Sequence, residues 1–290
     1  VFVGQRSAIV SSSDASTDTI ATMAERAVAV AREAPVDPYA GLADPAQLAA
    51  DRDNTSLDMF DPSAEPDPQA LQEAAIRAEA AALENKGIAQ VQSASAGYGR
   101  RRVHLAATNG FSGGYTRTDS SVSCVAISGS GTDMERDYDY DSRIYYSDLA
   151  DPAEIGRSAA ARAVERAGAR KPKTGSYPVM YDERVASSLI GHLVAAINGA
   201  AIARGSSWLR DALGTQVLPD YMSLTEDPRR PRAFSSRMFD AEGLPTQKRA
   251  IVDNGVLTGW TLDLATGRKL DMDSTASAVR GTSGPPSPGL

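Results

Sequence analysis

The sequence contains a single cysteine, Cys124, and only two histidines, His104 and His192. One cysteine excludes an internal disulfide, which fits a reducing compartment such as the cytoplasm. A helical zinc site usually needs two histidines spaced to share one face, beside a glutamate base. No histidine follows His192, and His104 lies far away in a predicted strand. The spacing of these residues therefore indicates no metal site.

Long apolar runs and excess positive charge are also missing. The most apolar stretch, residues 185–203, is interrupted by serine, glycine, histidine and asparagine, so it predicts a buried helix and no membrane span. The 30 Lys and Arg residues face 37 Asp and Glu residues, giving a net charge of −7. Such a chain gains little from counterion release on a phosphate backbone, which argues against nucleic acid as its main partner.

No signal peptide is visible, because no basic segment precedes an apolar core at the start. The first residues are typical of the middle of a strand, and the last ones are typical of the middle of a loop. We therefore expect a fragment truncated at both ends.

The pattern along the chain predicts an α+β protein, with helices and antiparallel strands in separate runs. Helices are predicted over about 19–34, 67–85, 151–168 and 183–204. Strands are predicted within 1–12, as a meander over 88–127 that continues through 136–140, at 177–181, and as a hairpin of 249–253 and 256–262. Asn109–Gly110 and Asn254–Gly255 supply the turn signals.

The residues alone show no evident active site. A catalytic triad needs a base beside its nucleophile, and the G-x-S-x-G elbow is absent. Cys124 occupies an inward strand position, where a small buried side chain is the usual role. Gly97 and Gly99 match part of a dinucleotide fingerprint, but no strand-turn-helix pattern surrounds them.

The most unusual local composition is the acidic and aromatic run over residues 133–146. The favoured interpretation is an exposed strand whose tyrosines pack inward and whose aspartates point outward. The alternative is a peptide-contacting surface through Tyr138 and Tyr140, since tyrosine combines a large contact area with a polar tip.

Eight segments together resemble the TldD/PmbA family of cytosolic metallopeptidase-complex proteins, along nearly the whole chain. The segments are RAVAVA (26–31), DPYAGLA (37–43), TNGF (108–111), RDYDY (136–140), AGARK (167–171), FDAEGLPT (239–246), DNGVL (253–257) and RGTS (280–283). The resemblance implies a two-domain architecture of antiparallel sheets with packed helices. Residues 1–40 would end the N-terminal domain, 41–175 would form a central α+β domain, and 176–290 would begin the C-terminal domain.

TldD-like members of this family carry a His-Glu-x-x-x-His zinc motif on the helix that opens the C-terminal domain. In this register, Gly191 and Ala196 occupy the two histidine positions and His192 occupies the position of the glutamate base. Neither glycine nor alanine can ligate a metal through its side chain. The segment is similar to the PmbA branch, also called TldE, which lacks the zinc motif.

The resemblance implies a substrate-guiding subunit of a cytoplasmic, peptide-degrading or peptide-processing complex. This chain would hold no cofactor, and zinc is expected in a TldD-like partner that forms a heterodimer with it, with a homodimer as the alternative. His192, Tyr138 and Tyr140 are the candidate contacts with substrate or partner.

A second hypothesis is an independently active hydrolase, in which His192 works with a residue outside this chain. We favour a simpler role for His192, as a hydrogen-bonded histidine on an otherwise buried helix.

Overall fold

The computed structural model describes residues 1–282 and 284–289, so Ser283 of the RGTS segment and Leu290 lie outside the described residues. The predicted strands at the start are a short antiparallel hairpin of β1 (Phe2–Val3) and β2 (Arg6–Ser7). Helix α1 (Thr17–Glu33) begins where the Ser16 hydroxyl accepts a hydrogen bond from the backbone N–H of Thr19. Pro35 follows it closely and cannot continue it.

The proline-rich connector after α1 contains two single-turn 3₁₀ helices, Pro45–Gln47 and Thr55–Leu57. The sequence predicts the first, because Asp44 caps it and Pro45 occupies its first position. The second has no side-chain cap and carries no comparable signal.

The central part consists of α2 (Pro68–Leu83), β3 (Ile88–Ala106), β4 (Ser112–Ser128), β5 (Glu135–Arg143) and α3 (Pro152–Glu165). The three strands form an antiparallel sheet in the order β3-β4-β5, as the meander predicts.

Helices α2 and α3 cover one face of this sheet and bury Cys124 against it. They approach closely at Gly156, where an added Cβ would lie 2.0 Å from the carbonyl oxygen of Ala78. The helical spacing of α2 predicts Leu83 on its inward face, but Leu83 is 48% exposed, because the buried stripe of α2 runs through alanines.

The described C-terminal part contains three helices and five strands. They are α4 (Glu183–Ala196), α5 (Gly199–Ala203), β6 (Leu224–Glu226), β7 (Arg249–Asp253), β8 (Val256–Leu257), α6 (Leu264–Leu270), β9 (Ala278–Val279) and β10 (Ser287–Pro288). A second core forms where α4 packs against β6, β7 and β8. Strands β6, β7 and β8 pair antiparallel, with Asn254 and Gly255 at the hairpin turn. Within the described residues, no helix is both long and apolar enough to cross a bilayer.

Two predictions for this part are wrong. The predicted strand at 177–181 has no regular secondary structure, and its large side chains are exposed. The single buried helix predicted over 183–204 is two helices, because the Asn198 side chain caps α5 and its backbone bridges to Thr261. Gly199 permits this close approach, since an added Cβ would lie 2.7 Å from the Thr261 carbonyl oxygen. The first part of α4 is exposed rather than buried.

Candidate functional site

The face of the central sheet that α2 and α3 leave uncovered is the best candidate for a functional surface. We call it the open face, and its members alternate with the buried residues along each strand. They are Ser93, Ser95, Gly97 and Gly99 of β3, Ser121, Ser123 and Val125 of β4, and Tyr138 and Tyr140 of β5. Tyr138 lies opposite Val125, and Tyr140 lies opposite Ser123.

The two tyrosines point into solvent, with exposed fractions of 50% for Tyr138 and 62% for Tyr140. Their rings stack with centroids 6.2 Å apart. The favoured interpretation of inward tyrosines is therefore wrong. Asp137 and Asp139 face the helices instead, because arginines of α3 provide partners there, as in the 2.6 Å ion pair of Asp139 with Arg162.

Helix α4 begins beside the open face and is tied to it by Arg184. The Arg184 Nη1 donates to Asp137 Oδ1 over 3.0 Å, and its guanidinium lies 5.8 Å from the centre of the Tyr138 ring. Burial alone would raise the pKa of the Asp137 carboxyl. The hydrogen bonds from Arg184 and from the Tyr138 N–H outweigh burial and hold this pKa below its usual value.

A groove of about 770 Å³ lies at the N-terminal end of β5, next to the turn that joins β4 to β5. Val125, Ile127 and Tyr138 line its apolar part, and Arg136 and Arg166 line its polar part. Apolar contacts beside converging polar groups suit the side chains of a peptide.

The zinc-motif register of α4 does not fit a metal. Gly191 and His192 are exposed, whereas Ala196 is buried with Leu193 and Ile197. Throughout residues 1–282 and 284–289, no three histidine, cysteine, aspartate or glutamate side chains are grouped to hold a metal ion. Cys124 is sealed beneath the helices, and burial raises the pKa of its thiol.

His192 does not match the simpler role expected for it. It lies on the exposed side of α4, and the structure shows no hydrogen bond to its ring from any described residue. Because its side chain is exposed, His192 is available for contact with another molecule.

The segment that leads into α4 and the first turns of this helix expose a run of large apolar side chains. The exposed fractions are 56% for Tyr177, 67% for Val179, 97% for Met180, 48% for Tyr181, 51% for Val185 and 48% for Leu189. An apolar patch of this kind is unusual on a monomer surface and is typical of a protein contact. We call these six residues the apolar patch.

Glu242 is a second titratable group with a shifted pKa, and the sequence pattern does not identify it. Burial raises the pKa of its carboxyl to about 8; the backbone N–H of Leu264 opposes this shift, whereas Asp240 and Asp263 add to it. The Leu264 N–H donates to Glu242 Oε2 over 2.9 Å, which fixes the start of α6. The FDAEGLPT segment contains Glu242, but nothing local in it indicates the burial that shifts the pKa.

Two family models match the chain. The PmbA/TldA metallopeptidase central domain matches residues 61–167, and the PmbA/TldA metallopeptidase C-terminal domain matches residues 174–290.

Individual proteins agree with these matches. Metalloprotease PmbA of Escherichia coli O157:H7 is 38% identical over 96% of this chain and 61% of its own length. A Bacteroides thetaiotaomicron structure, described as a candidate modulator of DNA gyrase, superposes with a TM-score of 0.89 at 28% identity, over 96% of this chain and 63% of that one. TldE from Thermococcus kodakarensis has the same fold, with a TM-score of 0.78 at 20% identity over 99% of this chain and 64% of that one. The chain thus spans about three fifths of the length of its relatives.

Proposed function

Because this chain belongs to the PmbA/TldD metallopeptidase family, we propose that it is the peptide-contacting subunit of a two-subunit metallopeptidase and binds no zinc itself. The observation that carries the proposal is a juxtaposition. The open face presents Tyr138 and Tyr140 beside α4, the helix whose zinc-ligand positions are Gly191 and Ala196.

The open face suits an extended peptide. Its serines and glycines leave the strands accessible, and Ser95 and Ser123 already share a 2.8 Å hydrogen bond across them. The stacked tyrosines add a rigid aromatic contact with hydroxyl groups at their tips. This arrangement supports binding of unfolded peptides with little sequence selectivity.

The apolar patch supports a partner subunit. Tyr177, Met180 and Leu189 expose apolar surface on α4 and the segment before it, and Arg184 ties this helix to the edge of the open face. A subunit that covers this surface would also enclose a bound peptide. A TldD-like chain is the partner we propose, and a second copy of this chain is the alternative. Zinc in that partner would polarise the water that attacks the peptide bond.

We place the complex in the cytoplasm, since the only cysteine is free and buried. Nucleic acid is not a proposed ligand, because the chain carries a net charge of −7.

The test is hydrolysis of an unfolded peptide by the full chain supplied with zinc, alone and mixed with a TldD-like chain from the same cell. We expect cleavage in the mixture only. Cleavage by the chain alone at an equal rate would refute the proposal and favour the independent hydrolase, with His192 as the first residue to replace.

A further inference from the structure

Three arginines meet at the end of the open face that lies farthest from the tyrosines. Arg101 of β3 lies opposite Arg117 of β4, and both belong to the same face of the sheet as Gly97 and Gly99. The Arg117 Nη2 donates to the carbonyl oxygen of Ser236 over 3.1 Å, and its Nη1 donates to the carbonyl oxygen of Phe234. Arg237 follows Ser236 in the chain and lies close enough to Arg117 to act on it as a like charge.

Two carboxylates, those of Asp119 and Asp240, act on Arg117 and Arg237, but neither forms an ion pair with them in the described residues. Burial lowers the pKa of the Arg117 guanidinium, and Arg101 and Arg237 lower it further as like charges, whereas Tyr115 and Asp119 oppose this shift. Asp119 lies two residues from Arg117 along β4, on the same face of the sheet. No ion pair joins it to these arginines in the described part of the chain. A net charge of −7 makes such a concentration of cations unusual for this protein.

Several donors of the cluster also lack acceptors. Nε of Arg117 and both Nε and Nη2 of Arg237 are buried, and no described residue accepts a hydrogen bond from them. A buried donor without an acceptor usually destabilises a protein. These enclosed groups leave uncompensated positive charge beneath the surface, where it would stabilise an anion bound above them.

The surface between the arginines and Tyr140 has the length of a short peptide. Tyr140 pairs with Ser123, which lies six residues from Arg117 along β4. At about 3.4 Å per residue this separation is roughly 20 Å, close to the length of six extended residues. Gly97 and Gly99 contribute no side chain to the intervening surface, and a peptide on this path would pass beside the Asp119 carboxylate, which lies over Gly99.

We propose that Arg101, Arg117 and Arg237 form a subsite for a peptide carboxylate at the end of the open face. The subsite rests on the proposed function, because it orients the peptide that the open face binds. Guanidinium groups suit this ligand, since their N–H donors match the two oxygens of a carboxylate. The carboxylate belongs either to the C-terminus of the peptide or to an acidic side chain, and the experiment separates the two.

The experiment measures the anisotropy of labelled six-residue peptides titrated with the full chain, and the peptides carry no charge other than the carboxylate named for each. One peptide ends in a free carboxylate, a second in an amide, and a third in glutamate followed by an amide. We expect the free acid to bind about tenfold more tightly than the neutral amide, as one charge-assisted contact allows. If the third peptide binds as tightly as the free acid, the subsite also accepts acidic side chains.

Arg101→Gln and Arg237→Gln should each reduce the preference for the carboxylate to less than about threefold. Arg102→Gln is the matched control, because Arg102 is an exposed neighbour whose side chain points to the other face of the strand. Arg117 is left unchanged, since its guanidinium also holds two backbone carbonyls. If Arg237→Gln does not fold, the exposed Arg101 decides the question alone.

Equal affinities for free acid and neutral amide would overturn the subsite, as would a preference that survives both substitutions or a failure to bind any peptide. The cleavage assay separates this failure from failure of the proposed function. Cleavage by the mixture without a preference for the carboxylate would remove only the subsite. A preference without cleavage would remove only the metallopeptidase role.

Discussion

Arg184 donates a hydrogen bond from Nη1 to Oδ1 of Asp137 over 3.0 Å, and this contact ties α4 to the edge of the central sheet. Asp137 is only 6% exposed and also accepts from the Tyr138 N–H over 2.7 Å. Because Tyr138 belongs to the open face, one buried carboxylate fixes both the helix and the aromatic surface beside it.

Replacing Arg184 by alanine should lower the free energy of unfolding by about 1–2 kcal/mol at pH 7. The folded state lowers the pKa of Asp137, so its contribution is present above the unfolded value of 3.8 and disappears as the pH falls through the lower folded value. The loss should therefore shrink below pH 3 in urea unfolding. Arg210→Ala, which breaks an exposed pair with Asp211, is the control. An equal loss at both pH values would show that Arg184 acts by packing alone.

Replacing both Tyr138 and Tyr140 by serine should weaken peptide binding while leaving the fold intact, because both rings are at least half exposed. Loss of two aromatic contacts predicts a roughly 5- to 30-fold higher KM for cleavage by the mixture, with kcat changed little. Tyr221→Ser removes a tyrosine that is 83% exposed away from the open face and should change neither value. A fall in kcat without a rise in KM would contradict this role.

Glu242→Gln should change how stability depends on pH. Folding raises the pKa of Glu242 to about 8, so between about pH 5 and 8 the native state holds a proton that the unfolded chain has released. The free energy of unfolding should fall over this range in the parent chain and fall less in the variant. At pH 9 the variant should be more stable than the parent chain by about 2 kcal/mol, and at pH 5 the two proteins should have similar stability. Glu25→Gln, at an exposed position of α1, provides the control, and a parallel pH profile for all three proteins would refute the prediction.

His192→Ala should change neither zinc content nor cleavage chemistry. The full chain, treated with chelator and then given zinc, should retain less than about 0.1 zinc per chain, because Gly191 and Ala196 offer no ligands. Elemental analysis after gel filtration measures this directly. One zinc per chain that disappears in the variant would mean that His192 is a ligand after all.

Local patterns predict much of the fold. The meander and the hairpin at Asn254 and Gly255 follow from strand alternation and from a turn dipeptide that tolerates positive φ, here 45° and 81°. Helix starts at Ser16, Asp67 and Asp151 follow from side-chain caps that are visible in the sequence.

Contacts between distant residues explain the failures. The alternation of β5 is correct, but its inward side is decided by Arg162 and Arg166 of α3, which pair with aspartates and leave the tyrosines outside. Likewise, the side-chain cap of Asn198 and its backbone bridge to Thr261 divide the apolar stretch into two helices. Tyr138 and Tyr140 could be named as candidates from composition, whereas the arginine subsite required the sheet register.

The most direct test of the account is to find where the peptide lies. Tyr140 is replaced by the photoreactive analogue p-benzoylphenylalanine, and the full chain is irradiated with a labelled unfolded peptide and the TldD-like partner. The same replacement at Tyr221 gives the background, because this residue is exposed but lies outside the open face. We expect peptide cross-linked at position 140 well above the background. Equal cross-linking at both positions, or none at position 140 while cleavage proceeds, would show that the peptide does not bind the open face.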